Sequence, residues 1–458
     1  MAISKEELER DYVRVPVPDD LVKAIMAAET MWQFDWLDGI IEAPTLALNG
    51  TVINKPGYNR EEGLFYDPRN VPDMDPIGST PDEAIAGLAV IHDAIDEFPF
   101  ADAVDDGEVL GQSRSVAVAA ILTATIRRVL PICPIFLIDA PSASSGKSLL
   151  ADVIAAIPTG RGAGATTWSG NSEEQRKTLT SILVAGDLVV NFDNVEAAIG
   201  GPEICRVTTA QASLKDRLLG STKMLELPTN TMWVFTGIAM TVKGDCTTRV
   251  VRCRLDAGME HPERRKFKRP DLIKYVLEQR GALLHACLTI LRAYIVAGKP
   301  LVSVTGKPFD VPSRFNEWGA LVAGALCWLD QPDPLGSQAS VIDEDPIKEA
   351  RRGIMEAWAT AFGLDKWVTA KELIADDEDV TSYDEQQAAG RVLAAIQEIP
   401  DGGNSPNAVS VKLKTFENAI VDGMKLVRRK ADRAKHKVTA WRLVRAALVQ
   451  DDPFADLM

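Results

Sequence analysis

Residues 134–150 read PIFLIDAPSASSGKSLL, and this stretch decides the fold. The apolar run at its start predicts a buried strand, the small residues predict a loop, and the apolar residues after Gly146-Lys147-Ser148 predict a helix. In such a unit backbone N–H groups cradle phosphates, the lysine reaches the outer phosphates and the hydroxyl holds Mg²⁺. We therefore predict a site for a nucleoside triphosphate and Mg²⁺.

The predicted phosphate loop departs from its consensus at one position. Its residues are Pro141, Ser142, Ala143, Ser144, Ser145, Gly146, Lys147, Ser148 and Leu149. Proline stands where the pattern G-x-x-x-x-G-K-[ST] has its first glycine, which removes one backbone N–H and fixes φ. Because a bare G-K-S triplet also occurs at ordinary helix starts, the prediction depends on the flanking strand and helix and on partners further along the chain.

Length and composition indicate an ordinary globular protein. A chain of 458 residues has room for roughly two to four domains, and 46% hydrophobic with 25% charged residues is typical of folded soluble chains. No uncharged run reaches the roughly 20 apolar residues of a bilayer span, and the start MAISKEELERDY lacks an apolar signal core. The six cysteines contain no C-x-x-C pair and there are four histidines, which argues against a disulfide framework or a zinc site and favours a reducing cytoplasm.

The formal net charge of −15 argues against a surface covered with DNA-binding residues. It does not exclude nucleic acid held in a narrow pore or by one small domain, because binding depends on the phosphates that are neutralised and not on the charge of the whole chain. Local clusters of basic residues are therefore more informative than the total.

Residues 1–110 contain hairpin and helix signals and no catalytic constellation. APTLALNGTVIN predicts two short strands joined at Asn49-Gly50 by a type I′ turn, and GYNREEGLFYDP predicts a second hairpin. Thr80 and Pro81, followed by acids, predict the start of a helix. We interpret this segment as a small α/β module for packing or oligomerisation, with direct DNA contact as the alternative.

A second predicted strand ends in an acid. Residues 188–192, LVVNF, predict a buried strand, and Asp193 follows directly. Ligands of open α/β sheets bind at the carboxyl ends of parallel strands, so Asp193 is placed to hold the Mg²⁺ that Ser148 also holds. The alternative is that Asp193-Asn194 only turns the chain.

Residues 208–256 predict the remaining strands of a sheet. TMWVFTG and VVRCRLD each predict a buried strand, and strands separated by helices or loops give an α/β fold. Before them, ASLKDRLLGSTKMLELP predicts a hairpin around Gly220. The basic residues of this hairpin are Lys215, Arg217 and Lys223.

The chain changes character after residue 257. MEHPERRKFKRP is a basic linker, and DLIKYVLEQRGALLHACLTILRAYIVAG and FNEWGALVAGALCWL have the apolar content of helices. We interpret residues 257–329 as a helical lid. Residues 330–346 are polar, contain prolines and have little periodicity, so we predict an irregular linker there.

Residues 347–458 end in a basic hairpin. After predicted helices, MKLVRRKADRAKHKVTAWRLV has two apolar ends around a basic tip, with nine bases and one acid between residues 425 and 445. Helices followed by such a hairpin indicate a winged helix whose wing lies along a phosphate backbone. A solvated hairpin on an acidic protein is the alternative. The wing residues expected to contact DNA are Arg428, Arg429, Lys430, Arg433, Lys435 and Lys437.

From about Trp36 to its end, the chain resembles the helicase portion of primase-helicases carried by bacterial phages, satellites and integrated elements, a branch of the AAA+ ATPases close to superfamily 3 helicases. The stretches that carry the resemblance are, in order, IIEAPTL, GYNREEGLFYDP, FPF, LTATIRR, APSASSGKSLLADVIA, LVVNFDNVE, DRLLG, WVFTG, GDCTTRVVRCRLD, HPERRKF, FNEWGALV and VDGMKLVRR. Several of these in one order are far more specific than the phosphate loop alone.

The resemblance implies an α/β fold with an AAA+ P-loop ATPase core at residues 111–256, followed by the helical lid. It implies that the small α/β domain at residues 1–110 forms a collar and that residues 347–458 form a winged-helix domain. The expected assembly is a ring, a hexamer, with ATP between subunits and single-stranded or forked DNA in the pore. No primase-like segment precedes the motor in this sequence, so a primase or initiator on a separate chain is the expected partner, in the cytoplasm of a bacterial host and away from membranes.

The resemblance also implies roles for individual residues of the nucleotide site. Lys147 and Ser148 match the phosphate and Mg²⁺ ligands, and Asp193 matches the Walker B acid. Asn194 matches the second residue of the family's usual Asp-Asn pair, which leaves the hydrolytic base unassigned. The hairpin with Lys215, Arg217 and Lys223 matches the pore loop that grips DNA.

Two further roles have competing candidates. Glu196 and Glu174 are the nearby carboxylates that could serve as the hydrolytic base. Arg249, in GDCTTR, matches the arginine finger that stabilises charge on the γ-phosphate bound to the neighbouring subunit, and Arg217 is the competing candidate.

The segment TGIAMT, residues 236–241, departs from the family pattern Thr-Gly-Asn-Asn. Ile238 and Ala239 replace the asparagine that polarises the attacking water, and Thr236 is the residue that could take its place. The first interpretation is therefore an ATP-driven replicative helicase, and the second is a nucleotide-switched origin-binding or scaffold protein with little unwinding. A third, a P-loop kinase or metabolic enzyme, is disfavoured by the basic hairpin and by the arginine in GDCTTR.

Overall fold

Short strands and two helices form the N-terminal part of the chain. The computed structural model describes residues 17–28, 35–68, 71, 74–101, 104–105, 108–109, 111–211, 213–217, 224–310, 315–374, 383–397, 405–433 and 436–446, the side chains of 104–109, 383–389 and 431–438 excepted. The N-terminal elements are α1 (Asp19–Ala27), β1 (Gly39–Ile41), β2 (Thr45–Leu46), β3 (Val52–Ile53), β4 (Gly57–Asn59), β5 (Leu64–Tyr66), α2 (Pro81–Ile95), β6 (Val104–Asp105) and β7 (Glu108–Val109).

Both predicted hairpins form, with β2 antiparallel to β3 and β4 antiparallel to β5. The predicted type I′ turn is wrong, because that turn needs positive φ at both central residues and only Gly50 of the Asn49-Gly50 pair has it, at 90°. A longer loop closes the hairpin instead, with the Ala47 N–H donating to the Thr51 carbonyl at 2.9 Å. The predicted helix start at Thr80 is confirmed by a capping box with Glu83.

A parallel sheet of five strands forms the centre of the molecule. The elements of this core are α3 (Gln112–Ile126), β8 (Ile135–Ala140), α4 (Lys147–Thr159), β9 (Gly164–Thr166), α5 (Ser172–Ala185), β10 (Val189–Phe192), α6 (Pro202–Thr209), β11 (Ser213–Arg217), β12 (Met224–Pro228), β13 (Met232–Ile238) and β14 (Val250–Arg254). The strand order is β14-β8-β13-β10-β9, and every pair is parallel. The predicted α/β fold with a sheet covered by helices is therefore observed.

Strand β8 shows why the opening stretch is apolar at nearly every position. Phe136 and Ile138 pack with α3 and α4 on one face of the sheet, whereas Ile135 and Leu137 pack with α5 and α6 on the other. A parallel strand covered on both faces needs a continuous apolar run rather than an alternating one. The same topology brings the carboxyl ends of β8, β13 and β10 to one edge of the sheet, where the phosphate loop begins.

The helical region after the sheet begins at residue 272. Its elements are α7 (Leu272–Glu278), α8 (Arg280–Val296), α9 (Asn316–Trp318), α10 (Gly324–Trp328) and α11 (Gln338–Asp343), with a π turn at Gly319–Ala323 and a 3₁₀ helix at Pro334–Ser337. No helix among the described residues is long and apolar enough to cross a membrane.

The segment 330–346 is not the irregular linker that its composition predicts. It forms the 3₁₀ helix and α11, and Val341 is buried with the residues of β14. Arg252 of β14 also forms an ion pair with Glu344 at 2.6 Å. Two or three well-placed apolar residues suffice to hold a short helix against a preformed sheet, although they are too few to create a visible period in the sequence.

The C-terminal part has its own small core. Its elements are α12 (Pro346–Phe362), β15 (Val368–Thr369), α13 (Ala370–Ile374), α14 (Tyr383–Gln397), α15 (Pro406–Lys414), β16 (Ile420–Val421), β17 (Met424–Arg433) and β18 (His436–Arg445). The four strands form an antiparallel sheet in the order β15-β18-β17-β16. Trp358 and Trp441 are fully buried between the sheet and the helices. The predicted basic hairpin is β17 and β18.

Candidate functional site

The phosphate loop joins β8 to α4 and has the backbone of an anion site. Ser144 and Gly146 have positive φ values of 58° and 94°. A left-handed residue within a turn directs successive N–H groups into one concavity, which is the geometry that binds anions. Gly146 is also the N-cap of α4, and no side chain within the described part of the chain caps that helix. The free N-terminus of α4 and the positive end of its dipole therefore face the concavity that the loop N–H groups form.

Lys147 lies over this loop and is largely buried, with 8% of its surface exposed. Its Nζ donates a hydrogen bond to the Ser142 carbonyl at 2.9 Å, and Ser145 Oγ donates to the same carbonyl at 2.8 Å. Burial lowers the pKa of Lys147, and the charges of Asp139 and Asp193 oppose that shift. The two carboxylates thus keep a partly desolvated ammonium beside the anion site.

Asp193 lies against the first turn of α4, as its place after β10 predicts. Ser148 Oγ donates to Asp193 Oδ1 at 2.8 Å. Thr236, near the end of β13, donates to the same oxygen and lies 3.3 Å from Asn191 Oδ1. Hydroxyl and carboxylate oxygens are the donor set that Mg²⁺ prefers, so Ser148 and Asp193 fit the predicted metal ligands. Asn194 turns the chain after Asp193 with φ 51°.

Asp139 is a residue of this site that the sequence analysis missed. It is the penultimate residue of β8, 2% exposed, and its Oδ1 accepts hydrogen bonds from the backbone of Ala140 at 2.9 Å and of Met240 at 3.2 Å. These bonds hold the turn in which Ala239 has φ 47° and Ile238 is half exposed. A lone acid at the end of an apolar strand, directly before the phosphate loop, is the signal that marks it.

The two candidate bases differ in their surroundings. Glu196 lines a pocket of about 680 Å³ together with Asp193, Asn194 and Trp168. Glu174 lies in the first turn of α5 and forms an ion pair with Lys177 at 2.8 Å. The structure therefore brings Glu196 into the pocket of Asp193, the predicted metal ligand, and places Glu174 in a surface ion pair.

An apolar pocket of about 220 Å³ adjoins the phosphate loop on its other side. Its apolar walls are Phe98, Leu149, Phe267, Pro270, Leu272 and Ile273, and Gly146 forms part of its floor. Phe98 follows α2, whereas the residues from 267 onward belong to the segment before α7 and to α7 itself. The pocket has the size and chemistry to receive a planar aromatic group attached to a phosphate chain.

Ion pairs hold the segment 265–269 against α2 and so form one wall of that pocket. Lys268 pairs with Asp96 at 2.9 Å, and Arg269 pairs with Asp93 at 2.6 Å and packs over Tyr275 at 4.3 Å. The pairing with Arg269 lowers the pKa of Asp93. The sequence analysis read this stretch as a basic linker, because the acids that pair with it lie more than 170 residues earlier in the chain.

Arg249 ends the 3₁₀ helix Gly244–Arg249, on the chain leading into β14. Its guanidinium forms an ion pair with Asp245, and its charge acts on the Cys205 thiol of α6. Hydrogen bonding from the Cys246 thiol and the charge of Arg249 lower the pKa of Cys205 to about 6, against the effect of its partial burial. Both partners of Arg249 lie outside the phosphate loop of the same chain.

The predicted pore-loop hairpin is β11 and β12, which pair antiparallel from Ser213 opposite Pro228 to Arg217 opposite Met224. Lys215 and Arg217 are exposed, and Lys215 Nζ lies 3.8 Å from Glu226. The predicted contact Lys223 lies outside the described residues.

The predicted wing residues fall into two groups. Arg428 forms an ion pair with Glu417 at 3.0 Å and packs 5.9 Å from the ring of buried Trp441, so it supports the C-terminal core. Arg429 and Lys430 are exposed, and Arg429 stacks over Trp367 at 4.3 Å. The remaining predicted contacts are Arg433 and Lys437, whose strand positions but not side chains are described, and Lys435, which lies outside the described residues.

Comparison with known proteins leaves the family open. No protein-family model matches the chain, and no curated protein matches it. Similar solved structures include the A form apo structure of the NrS-1 C-terminal region, with 10% identity, 85% of this chain and 83% of that chain covered, and a TM-score of 0.39. They also include JCV helicase, with 17% identity, 59% and 74% covered, and a TM-score of 0.22. TM-scores this low do not establish a shared fold, so the function has to be argued from the site.

Proposed function

We propose that this protein is an ATP-driven DNA helicase of a phage, satellite or integrated element, built as an AAA+ ATPase that works as a ring. The observation that carries the proposal is the contact of two hydroxyls, from Ser148 and Thr236, with the carboxylate of Asp193, next to Lys147 and the free N-terminus of α4. A lysine, a metal-binding pair and a nest of N–H groups at one edge of a parallel sheet suit phosphoryl transfer.

In this proposal Lys147 and the loop N–H groups bind the β- and γ-phosphates of ATP. Ser148 and Asp193 would hold Mg²⁺, which neutralises phosphate charge when bound. Glu196 orients and deprotonates the attacking water, because it is the candidate base that shares a pocket with Asp193. Thr236 takes the place of the missing asparagine, since its hydroxyl already lies at the metal-binding carboxylate.

The adenine occupies the apolar pocket between Phe98 and Phe267. Stacking of a base on aromatic rings contributes about 1–3 kcal/mol and needs no particular hydrogen-bond pattern. The helical region 257–329, of which the pocket wall is the first part, then acts as the lid. Arg249 reaches the γ-phosphate of the neighbouring subunit, because its partners in its own chain lie outside the phosphate loop.

DNA contacts come from two basic hairpins. In the ring, Lys215, Arg217 and Lys223 face the pore and grip single-stranded or forked DNA. The C-terminal hairpin β17/β18 acts as the wing of a winged-helix domain, with Arg429 and Lys430 exposed to phosphates. A primase or initiator on a separate chain would supply primers or load the ring.

The second candidate function is a nucleotide-switched origin-binding or scaffold protein that hydrolyses ATP slowly. Ile238 and Ala239 favour it, because no amide side chain stands at the position where the resemblance expects one to polarise water. In that case the same site binds ATP and Mg²⁺ to control assembly on DNA.

The test is steady-state ATP hydrolysis by the purified chain with and without forked DNA, beside Lys147→Ala. We expect hydrolysis that forked DNA stimulates, strand separation, and loss of both in the variant. Hydrolysis at one rate with and without DNA would contradict the helicase proposal. Tight ATP binding without turnover would select the switch, and a monomer in the presence of ATP and DNA would favour a kinase or metabolic enzyme.

A further inference from the structure

Asp216 is a buried carboxylate on β11 of the β11/β12 hairpin, where it lies opposite Leu225. It is 2% exposed, while its neighbours Lys215 and Arg217 point to solvent. An unpaired carboxylate buried in that position would be strongly destabilising, so its partners define its role. Asp216 therefore stands out on a strand whose other described polar residues face water.

Two helices supply those partners. From α5, Arg176 Nε donates to Asp216 Oδ1 at 3.1 Å and Thr180 Oγ1 donates to Oδ2 at 2.8 Å. From α6, Arg206 Nη2 donates to Oδ2 at 2.9 Å, and Arg206 is also paired with Glu203 at 3.2 Å. These bonds lower the pKa of Asp216 far below its usual range. The carboxylate is thus charged at any physiological pH and binds the hairpin to both helices.

Helix α6 connects this carboxylate to the proposed arginine finger. Arg206 contacts Asp216, and α6 packs against the 3₁₀ helix Gly244–Arg249, with Cys205 against the apolar cluster that contains Cys246. The opposite side of α6 is buried in the core through Ile204 and Val207. A short helix that packs on the core and contacts both segments provides a direct physical link between them.

Helix α5 connects the same carboxylate to the hydrolytic pocket. Its N-cap is Asn171, and the preceding residues from Thr166 to Trp168 line the pocket that contains Asp193 and Glu196. Gln175, one residue before Arg176, donates to the Ser169 carbonyl at 2.7 Å. One hydrogen-bonded turn therefore separates Arg176 from the pocket wall.

We propose that Asp216, held by Arg176 and Arg206, is a positioning residue that couples the DNA-binding hairpin to Arg249 and to the hydrolytic pocket. The inference rests on the proposed helicase function and adds a specific residue to it. Asp216 touches neither nucleotide nor DNA in this proposal. Loss of the Asp216 carboxylate should reduce the stimulation of ATP hydrolysis by DNA. The hairpin should still bind DNA, and the nucleotide site should still bind ATP.

The test compares Asp216→Asn with Lys215→Ala, its exposed neighbour, in ATP hydrolysis at saturating ATP over a range of single-stranded DNA concentrations. For Asp216→Asn we expect basal hydrolysis within about twofold of wild type, an unchanged half-saturating DNA concentration, and maximal stimulation reduced about fivefold or more. Lys215→Ala should do the reverse, raising the half-saturating concentration and keeping the maximum. The proposal would be overturned if Asp216→Asn kept the wild-type maximal stimulation, whether or not its half-saturating DNA concentration rose.

Hydrogen exchange separates coupling from a merely structural role and from failure of the helicase proposal. If Asp216 couples the two segments, amide exchange in Asp216→Asn should be faster both in the hairpin and at residues 244–249. Faster exchange in the hairpin alone would indicate a local structural role and would contradict the proposal. If Asp216→Asn unfolds, Arg206→Gln is measured in its place, because Arg176 and Thr180 still hold the carboxylate. A wild-type chain without DNA-stimulated hydrolysis would refute the helicase, while exchange at 244–249 would still decide the coupling.

Discussion

In the proposed nucleotide site, a single side chain should set the rate of ATP hydrolysis. Thr236 is the residue on which this depends, because its hydroxyl meets Asp193 at the edge of the sheet where Ile238 and Ala239 contribute no polar side chain. A hydroxyl that both donates and accepts can take over part of an amide's role in holding water. The departure of TGIAMT from the family pattern is therefore expected to change the rate of ATP hydrolysis, through Thr236, and not to abolish it.

Replacing Thr236 with alanine should lower ATP turnover. A hydrogen bond to a charged group contributes about 1.5–3 kcal/mol, which corresponds to roughly a 10- to 150-fold loss in rate if it acts in the transition state. Thr236→Ser keeps the hydroxyl and is the matched control, so it should retain most of the turnover. Equal turnover in both variants would show that the hydroxyl is not used.

Cys205 should be the most reactive thiol among the described cysteines. Its pKa of about 6 makes it largely thiolate at neutral pH, whereas Cys133, Cys246, Cys253, Cys287 and Cys327 are buried. Alkylation by iodoacetamide, followed by peptide mass spectrometry, should therefore rise through about pH 6 and level off above it. Arg249→Gln removes a charge that stabilises the thiolate and should move this midpoint upward; an unchanged midpoint would contradict the contact.

At the scale of elements, ion pairs and short helices shape the site more than the sheet does. The segment 265–269 becomes a pocket wall because acids of α2 hold it in place. The hairpin β17/β18 likewise has one face bound to the C-terminal core through Arg428 and another exposed through Arg429. Similar basic residues in one stretch therefore have different surroundings.

Phe267→Ala should weaken ATP binding because the adenine base loses its stacking contact, whereas the phosphates keep theirs. Loss of an aromatic contact of about 1–3 kcal/mol should raise the Kd for ATP roughly 5- to 150-fold. Binding of inorganic triphosphate, which has no base, should be unchanged and can be followed by calorimetry. Exposed Tyr58 serves as the control substitution, since it lies in the N-terminal hairpin. Equal weakening for triphosphate would place Phe267 in the phosphate site instead.

The two exposed wing residues should set the salt dependence of duplex DNA binding. Each phosphate contact adds about −0.9 to the slope of log K against log salt, so Arg429→Gln with Lys430→Gln should flatten that slope by roughly 2. Arg428→Gln should instead lower the melting temperature and leave the slope as it is, because Arg428 is paired with Glu417. A slope that none of these changes alters would indicate a solvated hairpin.

At the scale of the whole molecule, the proposed activity needs more than one copy of the chain. Lys147, Ser148 and Asp193 form a compact centre at the carboxyl end of β8, whereas Arg249 pairs with Asp245 near the opposite end of that strand. A finger that acts on the nucleotide of a neighbouring subunit requires an assembly of at least two copies. Assembly is therefore a requirement of the proposed activity.

Mixing two inactive variants tests this requirement. Arg249→Ala should bind ATP with wild-type affinity and hydrolyse it at least about 10³-fold more slowly, as expected for loss of an arginine finger. Lys147→Ala should not bind ATP productively. With forked DNA, mixtures of the two should regain part of the activity, since some interfaces combine an intact loop with an intact finger. No recovery at any ratio would show that Arg249 acts within its own chain.

The sequence by itself determined the fold class, the phosphate loop and the pairing of that loop with Asp193. These follow from local signals: a continuous apolar run for a buried strand, small residues for the loop, and an acid directly after another apolar strand. Parallel strands bring their carboxyl ends to one edge whatever their order, so the Ser148 to Asp193 contact could be anticipated.

Only the tertiary structure decided which distant side chains meet at that edge. The order β14-β8-β13-β10-β9 inserts β13 between the loop strand and the Asp193 strand, and this brings Thr236 to the carboxylate. Phe267 likewise forms a wall of the apolar pocket beside the phosphate loop because segments far apart in the chain pack together there. A local sequence pattern indicates the type of secondary structure and the chemistry of its side chains. Contacts between distant residues depend on how the helices and strands pack together, and no single stretch of sequence specifies that packing.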